Sequence, residues 1–113
     1  MFLSILATSY MCVQALCMPL QETIQQKVVR YALEYQIEPN TALRIAKSES
    51  NFRADAINHN KNGSNDMGVF QINSIHKVPD ICRLDAECNI RWAMETMQKV
   101  GTQPWYSSAH KWK

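Results

Sequence analysis

A chain of 113 residues is one domain, long enough to enclose a small core. An apolar content of 46% with only 3 Gly and 4 Pro argues against disordered and repeat architectures. A formal charge of +2 without a Lys/Arg cluster leaves no footprint for nucleic acid, though it would tolerate an anionic polymer.

Residues 1–21 carry no charged side chain. The opening MFLSILATSYMCVQALC is apolar or small. It ends in Val13-Gln14-Ala15 and Ala15-Leu16-Cys17, with small residues where a leader is cut. Its n-region lacks Lys and Arg. The expectation is a signal peptide over residues 1–17, a mature domain over 18–113, and a periplasmic or secreted product. A buried N-terminal helix is the alternative. Ser4, Thr8, Ser9 and Gln14 interrupt the run too often for a membrane helix.

Ile24, Val28, Tyr31, Ala32 and Tyr35 recur at helical spacing and predict a first helix over roughly 21–36. Pro39 suits the first turn of a second helix, which should stop near Asn51 or Phe52. The segment INHNKNGSNDMG is dense in turn formers, with Asn62-Gly63 the strongest signal. Ala56-Ile57 and Val69-Phe70-Gln71-Ile72 flank it, which predicts a small β-hairpin or irregular antiparallel ribbon. Asn73 or Ser74 can cap a short helical turn before Pro79.

Asp85 can cap a further helix whose inner face is Ile90, Ala93, Met94, Met97 and Val100, with Gly101 as its stop. Pro104 opens a last segment in which Trp105, Ala109 and Trp112 are helically spaced. The architecture expected is α+β, mostly helical, with a small β element after the second helix. Of the four cysteines, Cys82 and Cys88 close a short loop. An oxidising compartment would make them a disulfide; in the cytosol they would be buried thiols.

The second helix carries one anomaly. Ala42, Ile45 and Ala46 form an apolar stripe, and the next position on it is Glu49. An ordinary glutamate at a helix end would turn to water or pair with Lys47 or Arg53. Here the apolar face and the negative end of the helix dipole both favour the protonated acid, which is the form a general acid needs. A second carboxylate, Asp66, follows among Ser64, Asn65 and backbone amides, a setting suited to a charged carboxylate, or simply to a turn residue bonding its own backbone. Two acids in contrasting environments are the arrangement that cleaves glycosidic bonds, a logic whose type case is lysozyme.

Glu49-Ser50-Asn51-Phe52, Ala56-Ile57-Asn58, Asn62-Gly63-Ser64-Asn65-Asp66-Met67-Gly68 and Gln71-Ile72-Asn73-Ser74 together resemble the signature of the lysozyme-like superfamily. The nearest likeness is to its small lytic transglycosylases, which include invasion-, pilus- and conjugation-associated members. It runs from about Val28 to about Val100. The Glu49-to-Asp66 separation also resembles that of animal c-type lysozymes, so the motif alone does not separate lyase from hydrolase.

The resemblance implies a lysozyme-like fold and cleavage of peptidoglycan glycan strands by a monomer. Glu49 would act as general acid and then base, Asp66 as the second acid. Ser50 would support Glu49, and Gly68 would let the backbone approach the saccharide. Gln71 and Asn73 would meet sugar hydroxyls or hold the ribbon. No metal or cofactor is implied; a secretion, pilus or conjugation apparatus is an implied partner. A non-catalytic wall-binding subunit of such a machine is the reading from another class.

The family usually continues into a Tyr-Asn-Ala-Gly segment whose tyrosine lies near the glutamate. This chain has Gly101-Thr-Gln-Pro-Trp-Tyr-Ser-Ser-Ala-His-Lys-Trp-Lys instead, in which Tyr106, or a wall of Trp105 and Trp112, could take that place. Trp92 sits off the inner face of its helix, a candidate for sugar stacking or for packing. His59, His76 and His110 make no metal-ligand spacing.

Overall fold

The computed structural model describes residues 10–13, 16–19 and 21–113. The predicted leader therefore lies partly outside the described residues. Within it, β1 (Tyr10–Val13) and β2 (Leu16–Pro19) pair antiparallel, with Cys12 opposite Cys17 in the register. The alternative of a buried helix does not hold for these extended segments.

The first helix, α1 (Ile24–Glu34), is shorter than its apolar spacing suggested because Thr23 caps it. The Thr23 hydroxyl accepts from Gln26 N at 3.1 Å, and Thr23 N donates to Gln26 Oε1 at 2.9 Å, a reciprocal capping box. Helix α2 (Pro39–Ser50) starts with Pro39 in its first turn and Glu38 as the cap, whose carboxylate accepts from Thr41 N at 2.8 Å. It ends where expected. Asn51 and Phe52 both adopt left-handed backbone, φ 54° and 63°, and reverse the chain toward the ribbon.

The ribbon has three antiparallel strands, β3 (Ile57–His59), β4 (Asn65–Met67) and β5 (Ile72–Asn73). Asp66 lies on the central strand, opposite Asn58 on one side and Asn73 on the other. The stretch expected to be a strand from Val69 is instead a turn. Gln71 takes φ 50°, and Val69 and Phe70 turn into the core, fully buried. Hydrophobic content put Val69-Phe70 in a strand, but their apolar surface is satisfied by the helices behind the ribbon, not by a sheet face.

A single turn of 3₁₀ helix, Ser74–His76, is capped by Asn73, as the sequence suggested. A four-residue helix, α3 (Asp80–Arg83), was not foreseen, since one turn is too short to show a period. Helix α4 (Ala86–Val100) begins at Asp85, whose carboxylate accepts from Cys88 N at 2.9 Å, and stops at Gly101. Cys82 and Cys88 are disulfide-bonded and join α3 to the first turn of α4. The chain closes with a 3₁₀ segment, Gln103–Ser108, and α5 (Ala109–Trp112).

The core lies among α1, α2 and α4, with Phe70 from the ribbon and Trp105 and Trp112 from the last segment. Each large side chain fully buried there contributes about 1.5–3 kcal/mol. Asn89 and Arg83, both buried, fasten the ribbon to the helices. Asn89 donates to Met67 O at 3.0 Å and Arg83 O at 2.8 Å and accepts from Phe70 N at 2.9 Å. Arg83 donates to Ile72 O and to the Asn65 side chain, both at 2.9 Å. These bonds hold the ribbon against α3 and α4. No helix among the described residues is long and apolar enough to cross a membrane.

Candidate active site

Glu49 occupies the last turn of α2, on the same stripe as the fully buried Ala42, Ile45 and Ala46. Its carboxyl is half-buried. Burial pushes its proton affinity above the ordinary glutamate value. A hydrogen bond from Ser108 opposes this, the negative Asp66 reinforces it, and Lys111 opposes it again. The anomaly in the stripe thus has a physical consequence: the acid form of Glu49 is favoured.

Ser108 Oγ meets Glu49 Oε2 in a short hydrogen bond. The same hydroxyl lies 3.1 Å from Trp105 O and receives Trp112 Nε1–H at 3.3 Å. It has one proton and two places to send it. Facing a carboxylate, it donates to Glu49. Facing the carboxylic acid, it can donate to Trp105 O and accept a hydrogen bond from the acid O–H. Either charge state of Glu49 therefore keeps a partner.

Glu49 opens into a cleft of about 320 Å³ between the ribbon and the last segment. Asp66, Gln71 and Asn73 line the ribbon side; Trp92, Trp105 and Ser107 line the other. Asp66 accepts from Asn73 Nδ2 at 2.8 Å and from Asn60 Nδ2 at 3.0 Å, one amide on each oxygen. Gln71 donates to Ala56 O at 3.2 Å and Gly68 O at 3.0 Å and accepts from Asn58 at 2.6 Å, so it braces the ribbon. The Trp92 ring lies 5.0 Å from that of His76, and both face the cleft. Polar groups beside an aromatic wall suit a sugar, whose hydroxyls and C–H faces need both. A larger concavity of about 710 Å³ runs along α1 past Val29, Leu33 and Leu43. Its carboxylate, Glu34, is exposed, so the chemistry and not the size selects the smaller cleft.

The structure brings together Glu49, Asp66, Gln71 and Asn73 from the set expected by sequence, and leaves three others outside the cleft. Ser50 is buried behind it; its hydroxyl donates to Val69 O at 2.8 Å and makes no bond to Glu49, tying the helix end to the ribbon. Gly68 does not line the cleft. A Cβ there would stand 2.1 Å from Arg83 O and 2.2 Å from Asn89 Nδ2, so the glycine is required by internal packing. Tyr106 does not reach Glu49. It is exposed, under the Lys113 ammonium at 4.7 Å, because Trp105 beside it takes the inward position and donates Nε1–H to Phe70 O.

Ser108 holds the place beside Glu49 instead, and sequence reasoning missed it. A signal was available: Trp105, Ser108 and Trp112 fall at i, i+3 and i+7, so a hydroxyl interrupts the tryptophan stripe much as Glu49 interrupts its own. Asn60 and His76 were missed as well, and only the folded loops bring them to the cleft.

A helix ending in a half-buried acid, facing a three-stranded ribbon across a sugar-sized cleft, defines a lysozyme-like domain. The fold is similar to that of the lysozyme from Equus asinus, with a TM-score of 0.61, 21% identity and coverage of 79% of this chain and 86% of that one. It is also similar to a calcium-binding lysozyme from equine milk, with a TM-score of 0.58, 21% identity and coverage of 78% and 85%. Residues 26–104 match the family model for the transglycosylase SLT domain, and the chain belongs to that family.

Among its relatives, invasion protein IagB of Salmonella typhimurium is 45% identical over 42 residues, 37% of this chain and 26% of IagB. Protein IpgF of Shigella flexneri is 45% identical over 42 residues, 37% of this chain and 28% of IpgF. Lysozyme C of Takifugu rubripes is 57% identical over 30 residues, 26% of this chain and 21% of that lysozyme. The chain thus spans about a quarter of the length of these relatives.

Proposed function

We propose that this protein is a peptidoglycan lytic transglycosylase. The observation that carries the reading is Glu49: an acid whose protonated form is favoured by burial, held by a hydroxyl that serves either charge state, at the edge of a polar and aromatic cleft. Membership of the transglycosylase SLT family supports it.

In the reaction, Glu49 protonates the glycosidic oxygen between N-acetylmuramic acid and N-acetylglucosamine, and the bond from that oxygen to the muramoyl C1 breaks. The carboxylate left behind takes the proton of the muramoyl 6-hydroxyl. That oxygen bonds to C1 and closes a 1,6-anhydro ring. Glu49 ends protonated, as it began, and no water is consumed. The chemistry calls for no metal or cofactor. Ser108 follows the proton at each stage by turning between Glu49 and Trp105 O.

A hydrolytic muramidase is the second reading. The observation favouring it is that Asp66 lines the same cleft and its charge is felt at Glu49. In that case Asp66 supports the glycosyl centre and water completes the reaction. A purely wall-binding role leaves the half-buried acid without a use.

The uncharged apolar run at residues 1–21 and the Cys82–Cys88 disulfide support export to an oxidising compartment, periplasmic or extracellular. The similarity to an invasion protein supports a place beside a wall-spanning secretion, pilus or conjugation apparatus.

The test is digestion of purified sacculi, with products weighed by mass spectrometry. Anhydromuramoyl ends are expected. Reducing ends would replace the lyase with the muramidase. Glu49→Gln should abolish release while the fold is kept; a variant that still released muropeptides at the parental rate would end both enzymatic readings.

A further inference from the structure

A second concavity, about 410 Å³, shares the last turn of α2 with the cleft. It is lined by Arg44, Lys47, Ser48, Asn51 and Lys111. Ser48 precedes Glu49 in the chain, Asn51 follows it by two, and the Lys111 charge is felt at the Glu49 carboxyl. The two depressions therefore flank one acid.

The pocket is cationic. Among the described residues, Arg44, Lys47 and Lys111 form no salt bridge, while Lys27, Arg30 and Arg83 all do. Arg44 is fixed in place: its Nε donates to Trp112 O at 2.9 Å and one terminal nitrogen donates to Thr41 Oγ1 at 3.4 Å, which leaves the other guanidinium donors free. The Ser48 hydroxyl oxygen is buried and has no hydrogen-bond partner. Three like charges around one depression repel each other, and an orphaned hydroxyl is costly, so an incoming oxyanion relieves both. The shared chemistry is an oxyanion that brings two or more acceptor oxygens.

We propose that this pocket binds a stem-peptide carboxylate of the glycan strand. This rests on the wall-cleaving reading above and goes further by naming the part of the substrate that is recognised. In peptidoglycan the sugars are uncharged where they carry peptides, and the free carboxylates sit on the stem peptides that hang from muramoyl residues. A strand threaded past Glu49 presents such a peptide beside the scissile bond. Arg44 and Lys47 receive the carboxylate, Ser48 donates to it, and Lys111 links the pocket to the site. The peptide then reports that a muramoyl unit, and not a plain chitin-like unit, stands at the acid.

The test is binding followed by backbone amide NMR, separate from turnover. The probes are a purified disaccharide–tetrapeptide, a peptide-free disaccharide of N-acetylglucosamine, which is uncharged, and inorganic phosphate, each against the full chain. The expected result is movement of the Lys47, Ser48, Asn51 and Lys111 amides with the peptide-bearing probe alone, weakening as salt rises. Lys47→Glu should weaken that binding at least tenfold, and Lys111→Gln should weaken it less; unchanged amide dispersion shows that both variants are folded. Equal movement with the peptide-free disaccharide would make the pocket a glycan subsite and overturn the proposal. Equal affinity for phosphate would make it a general anion site and overturn the peptide assignment. No movement at all would also overturn it. Cleavage of intact, peptide-bearing strands by the parental protein is measured alongside. Its absence would count against the enzymatic reading and leave the binding result standing.

Discussion

Replacing Gly68 with alanine separates two roles for a glycine in the motif. If its bare face looked into the cleft, the methyl group would obstruct the saccharide and leave the fold alone. The structure points its missing Cβ inward, 2.1 Å from Arg83 O and 2.2 Å from Asn89 Nδ2. Its φ of +84° costs a residue with a side chain about 1–2 kcal/mol before any contact is made. Relief of the overlap requires Asn89 to move, and its amide serves Met67 O, Arg83 O and Phe70 N. Leaving one such buried group unpaired costs about 1–3 kcal/mol. The total is roughly 2–5 kcal/mol, a large part of the ~5–15 kcal/mol that holds a domain of this size. At about 4–8 °C per kcal/mol, Gly68→Ala should lower Tm by about 8 °C or more in a thermal melt followed by circular dichroism. A variant melting within about 3 °C of the parent, with a raised KM for glycan, would show that the glycine serves the substrate and that the packing argument fails.

Ser108→Ala removes the hydrogen bond that lowers the Glu49 proton affinity, so the high-pH limb of the pH–rate profile should move to higher pH. A bond to a charged group contributes about 1.5–3 kcal/mol, which sets a loss of kcat of roughly ten- to a hundredfold; an unmoved limb would contradict the relay. Because burial raises the folded-state proton affinity of Glu49 above its unfolded value, the folded chain binds the extra proton and stability falls as pH rises through that range. Glu49→Gln should therefore melt above the parent at pH 7 and level with it at pH 3. Glu87 behaves oppositely. The Tyr31 hydroxyl at 2.6 Å and then Lys27 at 2.9 Å hold it down to about 2. Its contribution is complete above the unfolded value of 4.5 and is lost as pH falls through about 2. With the side chain 41% exposed, solvent screening limits this to about 1 kcal/mol. Glu87→Gln should flatten acid unfolding between those values, as measured by denaturant melts at stepped pH.

What could be read from the sequence was whatever one helix or turn decides locally. Pro39, Asn51, Asp85 and Gly101 start or stop helices through their own backbone and side-chain chemistry, and the structure puts each at a helix boundary. Glu49 was legible for a related reason. It breaks a three-residue apolar stripe, and a break in a period is visible without knowing what lies opposite. Val69-Phe70 show the limit: apolar residues after a turn resemble a strand, and only the helices behind them make a buried turn the better solution.

The same distinction explains the unforeseen parts of the site. Asn89 and Arg83 act by reaching across the molecule to ribbon carbonyls, 11 to 22 residues away in the chain. Nothing local marks them out, since Asn89 on the buried face of α4 looks like an ordinary polar interruption. Ser108 is intermediate, anomalous in its own stripe but meaningful only once Glu49 lies opposite. Both polar interruptions, Glu49 in α2 and Ser108 between two tryptophans, sit where packing would prefer a hydrophobe, and the fold brings them together. A polar group on an apolar stripe costs stability unless it is paired, so two such groups on separate stripes are candidates for each other. Applied here, that rule selects Ser108 over the exposed Tyr106 as the partner of the acid, on burial alone.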